Sequence, residues 1–147
     1  MVNEIAADEI CRAVIFKKAA GNLLSSNVKI LLDTSFLMNC IKFKIYFLEQ
    51  LKEHEIFLVP SVVDELNEIA SGKSADSKNA KIALALTKKI KIVTEPDSTA
   101  GDADASLLEL SKEGFVVATQ DTGLKKKIKS QGGKIAYIRQ RKIVVIE

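Results

Sequence analysis

Short runs of β-branched and other apolar residues alternate along the chain with segments of helical periodicity. Such runs are typical of buried strands, and their alternation with helices indicates a parallel sheet that is covered by helices on both faces. We therefore predict an α/β fold. The predicted strands cover residues 28–32, 56–59, 90–93, 115–119, 134–138 and, as a last strand or a tail, 142–147. The predicted helices cover residues 3–20, about 43–53, 61–70, 78–89, 102–113 and 121–131.

The bulk composition indicates one globular domain, because 147 residues with 47% hydrophobic content can build a full core. No apolar run is long enough to span a bilayer, and the N-terminus has acids where a signal peptide needs positive charge. We expect a soluble intracellular protein of the cytoplasm. Cys11 and Cys40 match no metal-binding spacing, so we expect reduced thiols. We expect His54, the single histidine, to be solvated in a polar turn.

The positive charge is concentrated near the C-terminus. Residues 122–146 contain eight basic residues and no acid, so the rest of the chain has 14 basic residues against 19 acids. A cationic end on a mildly acidic molecule indicates a polyanionic partner such as RNA. The alternative is a solvated lysine face without a partner. The candidate RNA-binding residues are Lys125, Lys126, Lys127, Lys129, Arg139 and Arg141.

Acidic residues recur just after the predicted strands. Asp33 directly follows the first strand, and Asp121 comes shortly after the fourth. Glu65 lies early in the helix after the second strand, and Asp102 and Asp104 open the helix after the third. The carboxyl ends of parallel strands meet at one edge of a sheet, where α/β folds bind their ligands. Carboxylates that gather there repel one another, which indicates a bound cation such as Mg²⁺ or Mn²⁺.

Some of these acids have a purely structural alternative. Aspartate is favoured as a helix N-cap, so Asp33 and Asp121 could serve only as caps. Asp102 and Asp104 are two positions apart and cannot both face one point of a helix. One of them could cap the helix while the other binds a ligand, and helical angle does not choose between them.

The helix predicted at 61–70 contains three acids, and helical angle separates them. Glu65 lies on the flank of the buried face, from which it can reach a cleft, whereas Asp64 and Glu68 point almost opposite to that face. We therefore predict that Glu65 is the functional acid and that Asp64 and Glu68 are solvated. Ser61 and Asp64 fit a capping box at the start of the helix.

Taken together, these segments resemble the PIN domain nucleases. That family has Asp-Thr-Ser or Asp-Thr-Asn after the first strand, a helical Glu, an Asp-Ala-x-Leu helix start and an Asp after the fourth main strand. The corresponding segments here are "LLDTS", "VVDELNEI", "DADASLLEL" and "VVATQDTGLKKKI", and the resemblance covers about residues 28–140. The Asp-Ala motif matches Asp104.

Within that family, "DTSFLMNCIKFKI", "VVATQDTGLKKKI" and "IAYIRQRK" look most like the branch that matures small-subunit ribosomal RNA in eukaryotes and archaea. They look less like the VapC toxins. The ribosomal branch often has adjacent acids where this chain separates Asp102 from Asp104 by an alanine. We expect residues 28–147 to form the nuclease domain and residues 1–27 to form an N-terminal helical extension that packs on it.

The resemblance implies a three-layer α/β/α sandwich with a central, mainly parallel twisted sheet. It also implies an endoribonuclease that uses one or two Mg²⁺ or Mn²⁺ ions. The implied catalytic and metal-binding residues are Asp33, Glu65, Asp104 and Asp121, with Asp102 as the alternative to Asp104. Thr34, Ser35 and Thr119 would hold carboxylates or a metal-bound water by hydrogen bonds, although Thr34 and Ser35 could equally be ordinary caps.

Three hypotheses follow for the function. The first is an endoribonuclease that cuts single-stranded RNA in the maturation or turnover of ribosomal RNA. The second is a VapC-type toxin ribonuclease that is neutralised by a small antitoxin. The third is a ribosome-assembly factor that binds RNA with a vestigial site, although every acid position is filled here. The resemblance also implies a homodimer.

Overall fold

The structure, a computed structural model, describes residues 27–147. Its strands are β1 (Lys29–Leu32), β2 (Glu55–Leu58), β3 (Lys91–Ile92), β4 (Val116–Ala118), β5 (Ile135–Arg139) and β6 (Ile143–Ile146). Its helices are α1 (Thr34–Lys42), α2 (Phe47–Gln50), α3 (Pro60–Ala70), α4 (Ala75–Leu86), α5 (Ala103–Ser111) and α6 (Thr122–Ser130). The helix predicted at 3–20 lies outside the described residues, as does the extension predicted at 1–27 apart from its last residue. Among residues 27–147, no helix has the length and apolarity that crossing a membrane requires.

The six strands form one sheet in the order β3-β2-β1-β4-β5-β6. All neighbouring pairs are parallel except β5 and β6, which pair antiparallel. The prediction of an α/β sandwich around a mainly parallel sheet is therefore confirmed. The chain adds strands on one side of β1 and then moves to the other side at β4, so β1 and β4 flank the topological switch point. Open α/β sheets bind ligands at such a point, beyond the carboxyl ends of the strands.

The central strand, β1, shows why the sequence predicts a buried strand at residues 28–32. Ile30, Leu31 and Leu32 are fully buried, because helices cover both faces of β1. A continuous apolar run is what such a strand requires. The register pairs Leu32 with Ala118, so β1 and β4 end side by side. The residues that follow these two strands are thereby brought together.

The helix after β1 differs from the prediction. Of the helix predicted at about 43–53, only Phe47–Gln50 is helical, as the short α2, and the longer helix α1, which begins directly after Asp33, was not predicted. Asp33 caps α1, and Phe36, Leu37 and Cys40 form its buried face at helical spacing. Lys44 has a positive φ of 55°, a conformation that interrupts a helix at this position. The "DTSFLM" segment therefore already contains the first turns of α1.

The predicted capping box on α3 was also wrong. The helix begins one residue earlier, at Pro60, with Val59 at the N-cap and no side-chain cap. Proline is well suited to the first helical position, since its missing N–H has no intrahelical partner there. Ser61 is buried inside the first turn, and its hydroxyl donates to Glu95 instead of capping the helix. Asp64 is exposed, as predicted. Likewise, α4 begins at Ala75 rather than at residue 78.

The prediction for His54 was wrong as well. Its side chain is only 6% exposed, and Nε2 lies 3.6 Å from Glu53 Oε1. Its Nδ1 accepts a hydrogen bond from the backbone N–H of Val28 at 3.3 Å. The histidine therefore ties the turn before β2 to the start of β1. This contact is long-range, so the polar composition of the local turn gave no sign of it.

Candidate active site

Asp33 lies at the switch point of the sheet and is 4% exposed. Its backbone N–H donates to the Ala118 carbonyl at 2.9 Å, which holds it against the end of β4. Its carboxylate accepts three hydrogen bonds: from the Thr34 backbone N–H at 2.8 Å, the Ser35 hydroxyl at 2.9 Å and the Thr119 hydroxyl at 2.7 Å. Asp33 is therefore both the N-cap of α1 and a fixed carboxylate at the sheet edge, so these two roles do not exclude each other.

The electrostatic environment of Asp33 favours a cation. Burial raises the pKa of its carboxyl group, and the hydrogen bonds from Thr119, Ser35 and Thr34 do not fully offset this effect. The nearby charge of Glu65 raises the pKa further. A positive ion within a few ångströms would favour the charged form and reverse the shift.

The hydroxyl groups around Asp33 form a connected network. The Thr34 hydroxyl donates to Glu65 Oε1 at 2.5 Å, so it joins α1 to α3. The Ser35 and Thr119 hydroxyls lie 3.1 Å apart, and Ser35 Oγ also accepts from the Gln120 backbone N–H at 3.0 Å. Thr119 is fully buried. These hydroxyls therefore fix the carboxylates of Asp33 and Glu65 rather than merely capping a helix.

Four of the five predicted acids border one pocket of about 440 Å³, which we call the acidic pocket. It lies beyond the carboxyl ends of β1 and β4. Its lining residues are Asp33, Thr34, Ser35, Glu65, Glu68, Ile69, Asp104 and Asp121. The elements that deliver the acids are the start of α1, the middle of α3, the first turn of α5 and the cap of α6.

The structure distinguishes Asp102 from Asp104. Asp102 is the N-cap of α5, and its Oδ1 accepts from the Ala105 backbone N–H at 3.1 Å. Asp104, in the first helical turn, borders the acidic pocket instead. Loss of hydration raises the pKa of Asp104, and the charges of Asp33, Asp121 and Asp102 raise it further. One aspartate thus caps the helix and the other faces the carboxylates.

Asp121 combines the two roles that the sequence left open. It caps α6, since its Oδ1 accepts from the Leu124 backbone N–H at 3.1 Å. Its own backbone N–H donates to the Thr119 hydroxyl at 3.1 Å. The side chain is exposed at the pocket and retains oxygen lone pairs for another partner. Capping therefore places Asp121 at the pocket rather than removing it.

Glu68 is exposed, as predicted, but it also lines the acidic pocket beside Ile69, so the prediction that it cannot reach a cleft was wrong. Glu68 lies three residues after Glu65, and residues at this spacing are neighbours on a helix surface. The prediction measured each side chain against the buried face alone. The spacing from Glu65 was the signal that could have found it.

The donor set of the acidic pocket suits a hard divalent cation. All of its candidate ligands are carboxylate or hydroxyl oxygens, and Mg²⁺ and Mn²⁺ prefer oxygen ligands. Within residues 27–147, no three His, Cys, Asp or Glu side chains are close enough to hold one metal ion directly. Mg²⁺ typically binds through one or two carboxylates and keeps several waters, for which a pocket of this volume has room. The residues therefore fit a hydrated ion.

Comparison with known proteins identifies the family. A family model described as a PIN like domain matches residues 30–141, which is most of the chain. The chain belongs to the PIN-like domain family. Ribonuclease VapC4 of Methanocaldococcus jannaschii is 32% identical over 124 residues, or 78% of this chain and 92% of that protein. Ribonuclease VapC9 of Archaeoglobus fulgidus is 30% identical over 120 residues, or 78% of this chain and 86% of that protein.

A solved structure supports the fold of this PIN-like domain. It is a domain of a functionally unknown protein from Methanocaldococcus jannaschii, with a TM-score of 0.56 over 76% of this chain and 91% of that one. The identity is 17%, so the similarity concerns the fold alone. The names of the two ribonuclease relatives favour the VapC alternative over the ribosomal RNA branch.

The basic residues of the PIN-like domain occupy more than one place. A second pocket of about 380 Å³, which we call the basic pocket, lies along α6 and β5. Its lining residues are Thr122, Lys125, Lys126, Lys129, Ile135, Tyr137 and Glu147. Asp121 lines the acidic pocket and the next residue, Thr122, lines the basic pocket, so each pocket has a lining residue at the start of α6.

Contacts inside the basic pocket differ from those of the acidic one. Lys125 Nζ lies 4.8 Å from the ring centre of Tyr137. Glu147 accepts from Lys129 Nζ at 2.8 Å and from the Tyr137 hydroxyl at 3.0 Å. Tyr137 is half-buried, and its hydroxyl lies in an exposed network with the Lys129–Glu147 ion pair. Lys127 instead influences the acidic pocket, because its positive charge partly opposes the rise in the pKa of Asp104.

The two arginines lie apart from the lysines. Arg139 ends β5 and Arg141 lies in the turn after it, where its guanidinium stacks 5.1 Å from the ring centre of Phe43. Neither arginine lines the acidic or the basic pocket. The candidate RNA-binding residues thus form a spread surface rather than a single patch.

One buried acid was missed by the sequence analysis. Glu95, in the connection between β3 and α5, is 9% exposed and binds two serines. It comes two residues after the predicted third strand, which is the same placement that drew attention to Asp121 after the fourth. Consistent use of that rule would have found it.

Proposed function

We propose that this PIN-like protein is a metal-dependent endoribonuclease of the VapC type that hydrolyses phosphodiester bonds of single-stranded RNA. The main support is the acidic pocket, in which Asp33, Glu65, Asp104 and Asp121 border one space beyond β1 and β4. The two curated relatives, which are named ribonucleases, support the same activity. Carboxylates that raise one another's pKa at a sheet edge have little structural purpose without a cation.

The proposed cofactor is Mg²⁺ or Mn²⁺, one or two ions, which Asp33 and Asp104 would hold and which Glu65 and Asp121 would bind through water. Such an ion lowers the pKa of a bound water and stabilises charge on phosphate oxygens. In the hydrolysis, the water oxygen forms a bond to phosphorus and the bond from phosphorus to the leaving nucleoside oxygen breaks. The proton of the water ends on that leaving oxygen.

The residues of this chain position the reacting groups. Ser35 and Thr119 hold one oxygen of Asp33, and the Thr34 hydroxyl holds Glu65, so the carboxylates keep a fixed geometry. Asp104 faces the same space from α5. Hydrogen bonds of this kind orient metal ligands, and their loss typically costs about 10- to 100-fold in affinity or activity.

The basic residues would bind the RNA backbone on either side of the reacting phosphate. Asp121 of the acidic pocket and Thr122 of the basic pocket are consecutive residues, so we expect an RNA strand that crosses the start of α6 to contact both pockets. Lysine contacts with phosphates supply affinity without sequence preference. We therefore propose Lys125, Lys126, Lys127 and Lys129 as backbone contacts, with Arg139 and Arg141 on the flank.

The VapC names also bear on the partners. Under the VapC hypothesis a small antitoxin protein neutralises the nuclease, and we propose such a protein as a partner together with a homodimeric assembly. Nothing in residues 27–147 specifically favours ribosomal RNA as the substrate. Co-purification of a small neighbouring gene product that inhibits cleavage would support the antitoxin; light scattering would give the mass of the assembly.

The decisive experiment is cleavage of a mixed-sequence single-stranded RNA in the presence of Mn²⁺ or Mg²⁺. We expect wild type to cut and chelator to stop it. Asp33→Asn should lower the rate by more than about 100-fold, beyond the typical loss for a group that only supports a ligand. Asp64→Asn is the matched control, because Asp64 is exposed and does not line the acidic pocket. Equal cleavage by wild type and Asp33→Asn would refute this site; RNA binding without cleavage or metal binding would favour the assembly factor.

A further inference from the structure

Glu95 is a buried carboxylate that the acidic pocket does not include. Its Oε1 accepts from the Ser61 backbone N–H at 2.9 Å, and its Oε2 accepts from the Ser61 and Ser106 hydroxyls, both at 2.5 Å. The backbone of Gly101 contributes a further hydrogen bond. Every hydrogen bond of this carboxylate therefore comes from a different element or from the far end of its own loop.

These partners lie next to the acids of the pocket. Ser61 is in the first turn of α3, four residues before Glu65, so the two side chains lie one helical turn apart on the same side. Ser106 is in α5, two residues after Asp104. Glu95 is thus the group through which the start of α3 is tied to the start of α5.

The hydrogen bonds at Glu95 are strong enough to keep the acid charged. Burial alone would raise its pKa, but the bonds from Ser106, Ser61 and Gly101 together hold the pKa below its ordinary value. Bonds from neutral donors to a charged acceptor are among the stronger ones in proteins. Ser106 also contacts the Thr99 carbonyl and hydroxyl at 3.0 Å each, which fastens the intervening loop to the same point.

We propose that Glu95 is a positioning residue that sets the spacing between Glu65 and Asp104 and thereby the metal affinity of the acidic pocket. This inference rests on the proposed function, since it concerns the same pocket. The ordinary alternative is that Glu95 only stabilises the fold. In that case its loss lowers the melting temperature and leaves metal affinity unchanged, because the fold, once formed, presents the same carboxylates.

The test measures Mn²⁺ binding to the full chain by calorimetry and thermal unfolding of the same samples without metal. We expect Glu95→Gln, which keeps the shape but loses the charge, to weaken Mn²⁺ affinity by about 10- to 100-fold, as for other groups that orient ligands. Ser77→Ala is the matched control. Ser77 is also a buried serine, but its hydroxyl donates to the Ser74 carbonyl at the start of α4. It should lower the melting temperature with little change in Mn²⁺ affinity.

A second variant keeps the test decisive if Glu95→Gln does not fold. Ser106→Ala removes the bond between Glu95 and α5, together with the contacts of Ser106 to Thr99, but keeps the bonds to Ser61, and it should weaken Mn²⁺ affinity in the same direction by a smaller factor. Excess Mn²⁺ should restore cleavage to the Glu95 and Ser106 variants but not to Asp33→Asn. Wild-type Mn²⁺ affinity in folded Glu95→Gln and Ser106→Ala would overturn the positioning role alone. Absence of Mn²⁺ binding in wild type would overturn metal dependence, and this inference with it.

Discussion

The acidic and basic pockets each have a lining residue at the start of α6 but are built in opposite ways. Asp33 is 4% exposed and accepts hydrogen bonds from three groups of fixed position. Lys129 is 49% exposed, and its ion pair with Glu147 joins two side chains at the surface. Exposed ion pairs contribute little to stability and are screened by salt, whereas a buried and fully bonded carboxylate is held in one geometry. We therefore expect single substitutions to have large effects in the first pocket and graded, salt-dependent effects in the second.

The largest expected contrast is between Asp102 and Asp104, two aspartates that lie two residues apart at the start of α5. Asp104→Asn should lower the cleavage rate by about 100-fold or more, because it removes a carboxylate from the pocket. Asp102→Asn should leave the rate within about threefold, because asparagine caps a helix as well as aspartate does. Single-turnover cleavage at saturating Mn²⁺ measures both. Equal losses in the two variants would contradict the assignment of Asp102 as the cap.

The next prediction concerns the support of Asp33. Thr119→Val removes the hydroxyl that donates to Asp33 and accepts from the Asp121 N–H. We expect cleavage to fall by about 10- to 100-fold and the free energy of unfolding to fall by about 1–3 kcal/mol, the usual cost of a lost buried bond. Rates and urea unfolding curves measure the two effects.

Thr87→Val is the control for this substitution. Thr87 is also buried, but its hydroxyl bonds to the Ala83 carbonyl in α4 at 2.8 Å. We expect it to lower stability without a comparable loss of cleavage. If Thr87→Val slowed cleavage as much as Thr119→Val, a general loss of folded protein would explain both results.

Substitutions in the basic pocket should act through salt. Lys125→Ala and Lys129→Ala should each weaken RNA binding by about tenfold or less at low salt, and each should reduce the slope of log K against log salt by about 0.7. Binding is measured on the Asp33→Asn background, which prevents cleavage. Lys112→Ala is the control, because Lys112 is an exposed lysine at the end of α5 outside both pockets. An unchanged slope in both lysine variants would place the RNA elsewhere.

The smallest predicted effect is on the stability of the metal-free protein as pH changes. The pKa of Asp104 is raised above its ordinary value of 3.8, so the folded state binds its proton more tightly than the unfolded state does. This carboxylate therefore disfavours folding at neutral pH, and stability recovers as pH falls through the raised pKa. Asp104→Asn should be slightly more stable than wild type near neutral pH, and this difference should shrink on acidification.

Urea unfolding of both proteins without metal at several pH values measures that difference. Glu95 should act with the opposite sign, because its pKa is lowered: its contribution is present above its ordinary value of 4.5 and is lost as pH falls through the lowered pKa. A stability difference between wild type and Asp104→Asn that grows on acidification would contradict the repulsion among the carboxylates.

The strands of this PIN-like protein and most of the acids that line its acidic pocket could be predicted from local sequence alone. The buried strand at 28–32 was recognisable because a strand covered on both faces must be apolar throughout. Asp33 and Asp121 were recognisable because parallel strands end at one edge, so an acid just after a strand lies near the next one. These inferences need only the period of the side chains and the rule for parallel sheets.

Other features were decided by contacts between distant segments. The choice between Asp102 and Asp104 depended on which residue at the start of α5 borders the acidic pocket, and the helical angle within one segment cannot show which side of the helix faces other elements. Ser61 had the local pattern of a cap, yet its hydroxyl bonds to Glu95, 34 residues away. The sequence by itself thus determined which residues reach the edge of the sheet. Only the tertiary structure decided which of them face one another, because hydrogen bonds and charge repulsion act through space and leave no periodic trace along the chain.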